Sequence, residues 1–107
     1  MIKGVNMANN EEQVFWDLVD AFIEKANAAC DDADPGIVSA ALLNAAARFN
    51  AFVVASSSID RKEYIDEVES AQKYLTGRYA ELIRDNLDDY RDNYKVYIRP
   101  DDVEESW

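Results

Sequence analysis

Apolar and polar positions alternate along this chain with a helical period in two long segments, and between them lies a segment with almost no polar positions. From Val14 to Ala26 the apolar residues Val14, Phe15, Leu18, Val19, Phe22, Ile23 and Ala26 recur at three- and four-residue spacing, which places them on one stripe of a helix. Glu12, Asp17, Asp20, Glu24 and Lys25 fall mostly on the other side. From Ile37 to Ser58 the larger members are Leu42, Leu43, Phe49, Phe52, Val53 and Val54, set among alanines. A helix apolar nearly all round is normally buried on most sides, so this stretch is expected to be a central packing hub. From Asp60 onward Ile65, Val68, Gln72, Leu75, Tyr79 and Leu82 define a third stripe. It drifts on to Ile83, Leu87, Tyr90, Tyr94 and Tyr97, as a strict period does on a straight helix.

The ends of these segments carry their own signals. Asn10 followed by Gln13 reads as a capping box for the first helix, with Glu11 and Glu12 where the helix dipole favours acids. Asp34-Pro35 starts the second, because proline is pre-organised for a first helical turn. Ser56-Ser57-Ser58 closes it. Asp60-Arg61-Lys62-Glu63 is a second capping box, with Ile59 and Tyr64 spaced for a hydrophobic staple. Gly77 interrupts the third stripe at a cost of about 1 kcal/mol. The predicted fold is therefore all-α: a three-helix bundle with a long third helix, kinked near Gly77 or continuous through it. Residues 1–9 are expected to be a mobile tail, 10–97 the helical domain and 98–107 an acidic tail that includes Pro100 and Trp107. The third helix, roughly 50 Å long at 1.5 Å per residue, outruns its two partners. That overhang carries Leu87, Tyr90 and Tyr94 and suggests a homodimer.

Composition narrows the functional classes. At 107 residues the chain supports one modest core. Acids outnumber bases 22 to 11, giving a net charge of -11. That sign opposes direct contact with nucleic-acid phosphates and with anionic membranes. The central stretch is as long as a membrane span, but Asn44, Arg48 and Asn50 lie in its middle, where a charge is costly in lipid. With no signal-like apolar run from Met1 to Asn10, a cytoplasmic protein without a membrane segment is expected.

The chemistry-bearing residues are few. There is no histidine, which removes histidine-dependent nucleophilic catalysis and the Glu-x-x-His motif of di-iron bundles. Cys30 is the one cysteine, near a helix end that does not activate a thiol. Glu81, Asp85, Asp88, Asp89 and Asp92 form an acidic band that reads as a solvated helix face. No cofactor or metal is expected. Asn44 and Arg48 share a helix face at four-residue spacing. In an apolar setting Arg48 needs an acidic partner on the first or third helix or a solvent-facing stripe; an anion or ligand site is the less favoured reading. Ala47, Ala51 and Ala55 make a ridge of small residues suited to close helix packing, within the bundle or across a dimer.

Val38-Ser39-Ala40-Ala41-Leu42-Leu43, Ala45-Ala46-Ala47-Arg48-Phe49-Asn50-Ala51-Phe52 and Asn86-Leu87-Asp88-Asp89-Tyr90 resemble a family of short bacterial proteins of unknown function, the domain of unknown function family 3144. The resemblance spans about Phe15 to Tyr94. It implies a small helical bacterial protein and supplies no functional residues. The expected function is a non-enzymatic protein–protein interaction module, with Asn44, Arg48, Leu87, Tyr90 and Tyr94 as interaction or ion-pair residues and a protein partner or a second copy as the ligand. Two alternatives are a DNA-mimic or inhibitor protein that offers carboxylates to a basic partner, and a small-ligand or metal-binding helical bundle.

Overall fold

The computed structural model describes residues 9–98. The expected tails 1–9 and 98–107, with Pro100 and Trp107, lie almost wholly outside the described residues. The protein is all-α. Its elements are α1 (Asn9–Ala29), α2 (Pro35–Ser56), α3 (Arg61–Asp92) and a single turn, α4 (Tyr94–Tyr97). No residue among those described has a positive φ, glycines included. The described residues fall into two compact units, 9–67 and 68–98.

In the first unit α1 and α2 are consecutive helices that contact one another. Cys30 to Asp34 link them. The end of α1 is held by backbone bonds from Cys30 and Asp31 N–H to the carbonyls of Asn27 and Ala28, both at 3.1 Å. Asp34 then caps α2: its Oδ1 accepts from the Gly36 N–H at 3.2 Å, with Pro35 at the first helical position. This satisfies one of the orphan donors at the helix start. The far end of α2 is closed by hydroxyls. Ser57 Oγ donates to the Val53 carbonyl at 2.6 Å and Ser58 Oγ to that of Val54 at 3.0 Å.

Asn10 lies inside α1 rather than at its cap. Gln13 does not reach back as a capping-box partner; its Nε2 donates forward to Asp17 Oδ1 at 3.0 Å. The capping box of α3 does form, in a modified way. Asp60 Oδ1 accepts from the Glu63 N–H at 2.9 Å, while Glu63 Oε1 accepts from the N–H of Ile59, not of Asp60, at 2.6 Å. Ile59 is 87% exposed, so the expected staple to Tyr64 buries little.

α3 is one helix through Gly77, without a break. A Cβ added at Gly77 would meet no heavy atom within 4 Å, so nothing in its surroundings requires glycine. The covered side of α3 is rotated by about one residue from the expected stripe. Ala71 is buried and Tyr64, Glu67, Tyr74 and Leu75 are half-buried, whereas Ile65, Val68, Tyr79 and Leu82 are exposed. The stripe centres on an alanine, whose small side chain carries a weak apolar signal.

The central helix departs most from expectation. Among the described residues of α2 only Val54 is buried, and Phe49 and Phe52 are more than 60% exposed. A single neighbouring helix shields one stripe of a cylinder, and the alanines of α2 are too short to be enclosed from elsewhere. The second helix has an open face and is not a buried hub.

Candidate functional site

The open face of α2 is where the polar pair sits. Asp34, Gly36, Ile37, Ala40, Ala41, Asn44, Ala45 and Arg48 line a shallow open groove. Ile37, Ala41, Asn44 and Arg48 recur at intervals of four, three and four residues, the spacing of one helix face. The half-buried and buried residues of the same helix are Val38, Asn50, Val53 and Val54. At 3.6 residues per turn these point about 180° away from the groove. α2 therefore has a covered side and an opposite side lined by small residues, with Ile37 64% exposed at one end.

Asn44 and Arg48 come together on this face, as their spacing predicts. The acid expected from a neighbouring helix does not: among the described residues no ion pair of Arg48 is present. The carboxylate that shares the groove is Asp34, fourteen residues and about 21 Å away along the helix. The small residues of the groove are Gly36, Ala40, Ala41 and Ala45 rather than the ridge Ala47, Ala51 and Ala55. The reason is legible in the spacing: Ala41 is seven residues, almost two whole turns, from both Asp34 and Arg48.

The other candidates lie in the second unit, where side chains partner one another. Asp88 receives Arg84 at 3.2 Å and Arg91 at 3.4 Å, and Arg91 also pairs with Asp92 at 2.9 Å. α3 ends because Asn93 leaves helical geometry, at φ -124 and ψ 32, and turns its Nδ2 onto Asp89 Oδ1 at 2.8 Å. The turn brings α4 back. The Tyr97 hydroxyl donates to Asp89 Oδ2 at 2.8 Å, and its ring lies 4.6 Å from that of Tyr90. The hydrogen bond to Asp89, then the charge of that carboxylate, raise the Tyr97 hydroxyl above its ordinary pKa, with small additions from desolvation and Tyr90. Tyr90 is thus engaged within the chain, while Leu87 is 60% exposed and Tyr94 belongs to α4. No group of three or more potential metal ligands converges among the described residues.

This geometry belongs to a chain whose residues 15–91 match the family described as protein of unknown function, DUF3144. The chain belongs to that family. No curated protein and no solved structure matches it. The matched segment takes in α2 entire, α1 from Phe15 onward, α3 up to Arg91, the groove, and Asp88 with Arg84 and Arg91.

Proposed function

We propose that this DUF3144 protein is a non-enzymatic protein-interaction module that works as a homodimer through the open apolar surface of α1 and α2. The supporting observation is the exposure of Phe22, Ile37, Phe49 and Phe52, each above 60%, on two adjacent helices. Phe49 and Phe52 lie together, with ring centroids 5.8 Å apart, and exposed apolar surface beyond scattered single side chains marks an interaction site. Covering one such side chain completely contributes about 1.5–3 kcal/mol, so even partial coverage of several outweighs the ordering of a few side chains. The groove holds one arginine, one aspartate and one asparagine without a nucleophile, which favours binding over catalysis. Acid mimicry of a nucleic acid is less favoured, because Asp66, Glu81, Asp88 and Asp92 are already paired with lysine or arginine.

Co-expression of two differently tagged copies tests the reading. Co-purification that persists at high salt supports it, since apolar contacts do not weaken with ionic strength as charge contacts do. Failure to co-purify at any salt contradicts it.

A second reading rests on one observation. α2 spans 22 residues, and its most apolar 18-residue window has a mean hydropathy of 1.6 with 6% of that window buried, so its length and composition also suit insertion into a bilayer. Arg48 weighs against this at about 2.5–3.5 kcal/mol for a central position. Flotation of the chain with neutral phosphatidylcholine vesicles would favour insertion; a chain left at the bottom of the gradient would exclude it.

A further inference from the structure

We infer that the α2 groove is a self-complementary seam, in which α2 of one copy packs antiparallel on α2 of a second copy about a two-fold axis at Ala41. The inference rests on the homodimer reading above and adds the helix face, the direction and the register. The first argument is charge. α2 contains no aspartate or glutamate, and Arg48 is its one charged residue, in a chain of net charge -11. α1 and α3 both carry many acids, which would repel those of an identical copy. α2 is the one long helix on which a second copy meets no opposing rows of carboxylates.

The second argument is the arrangement of the two charges that the groove does hold. Asp34 and Arg48 both line it, seven residues on either side of Ala41. A two-fold contact is isologous: if residue i meets residue j, then j meets i. With the axis at Ala41, Arg48 of each copy comes opposite Asp34 of the other, about 10 Å from the axis along the helix. Two ion pairs form with opposite signs facing. Asp34 remains available because Oδ1 makes the cap to Gly36 and Oδ2 takes no part in it. A parallel arrangement in the same register would instead set Arg48 against Arg48 and Asp34 against Asp34, so the charges select direction as well as register.

The third argument is size. Gly36, Ala40, Ala41 and Ala45 offer no long side chain at the centre, which permits interaxial distances at the short end of the usual 8–10 Å. Ile37 of each copy then lies across from Ala45 of the other, a large side chain against a small one. This face is opposite the side of α2 that carries its buried and half-buried residues Val38, Asn50, Val53 and Val54, so that side need not open for the seam to form.

Cysteine cross-linking in a Cys30→Ser background reads the register. Ala41→Cys sits on the axis and is expected to give a covalent dimer under mild oxidation. Ala45→Cys is expected to give none, because its two copies are displaced by about 12 Å along the helix, beyond the reach of a disulfide. Both substitutions are small and exposed, and unchanged far-UV circular dichroism verifies the helices. Asp34→Asn keeps a good cap residue while removing the charge, and Arg48→Gln removes its counterpart. Each is expected to weaken the dimer about threefold, and the double variant no further than either alone, as for residues that act as one pair. Cross-linking at both cysteine positions would overturn the antiparallel direction. A dimer in solution that Ala41→Cys fails to link would overturn this seam while leaving the interaction reading intact. A chain that stays monomeric would overturn both the seam and the homodimer.

Discussion

The groove of α2 and the junction of α3 with α4 hold similar polar residues and use them in opposite ways. At the junction Arg84, Asp88, Arg91, Asp92, Asp89, Asn93 and Tyr97 find partners within eight residues of one another. Such contacts come from helix periodicity, cost little chain entropy and need no second molecule. In the groove Asp34 and Arg48 are fourteen residues apart on one face, too far to touch along a rigid helix. The junction is complete as a single chain. The groove holds Asp34 and Arg48 without an ion pair between them, beside exposed Ile37. Short-range pairs thus satisfy the charges of the junction locally, whereas the proposed seam would satisfy those of the groove through a second copy.

The largest expected effect comes from spoiling the open face. Ala41→Glu places two carboxylates across the proposed axis, and facing like charges cost several kcal/mol. The dimer is expected to weaken by about 100-fold or more at 1.4 kcal/mol per tenfold, with helicity of the monomer retained; equilibrium sedimentation measures it. Undiminished association would break the comparison on the groove side.

Asp60→Ala addresses a purely local device. Loss of its bond to the Glu63 N–H removes a helix cap worth about 1 kcal/mol, read as a lower midpoint in urea. Association should not change beyond that loss. Gly77→Ala should move stability the other way by about 0.5–1 kcal/mol, because the new methyl enters open space on an uninterrupted helix and the unfolded chain loses freedom. A destabilised variant would mean that this part of α3 is covered and that the second unit is not self-sufficient.

The smallest effect belongs to the junction itself. Tyr97 must be protonated to donate to Asp89, and its pKa is raised in the folded state. Its contribution is therefore complete below the ordinary tyrosine pKa and is lost as pH rises through the higher folded value. An ultraviolet titration should show one tyrosine ionising after the others, and Tyr97→Phe should delete that last step while leaving the dimer unaltered. If Tyr97→Phe removes an earlier step, the junction is not closed as described.

Much of this contrast was readable from the residues, and what was not has physical causes. Helix number, the Asp34-Pro35 start, the serine stop and the Asp60 cap follow from local chemistry that acts over a few residues. The pairing of Asn44 with Arg48 on one face follows from periodicity alone. The burial of α2 did not follow. Hydrophobicity tells that a face prefers to leave water, not which molecule covers it, and only one side of α2 carries buried or half-buried residues. The side of α3 that is covered was also misplaced, because Ala71 was outweighed by the larger Ile65 and Val68 beside it. The turn at Asn93 escaped notice since it depends on an asparagine preferring Asp89 to the continuing helix.

In the proposed seam the groove face of α2, with Asp34 and Arg48, is covered by a second copy of the same chain. Sedimentation equilibrium of the full chain, from about 1 to 200 μM in moderate salt, tests it most directly for an interface in the ordinary affinity range. The account predicts a reversible shift from the chain mass to twice that mass, with no larger species, because an isologous seam closes on itself. A single species at the chain mass across the whole range would contradict it.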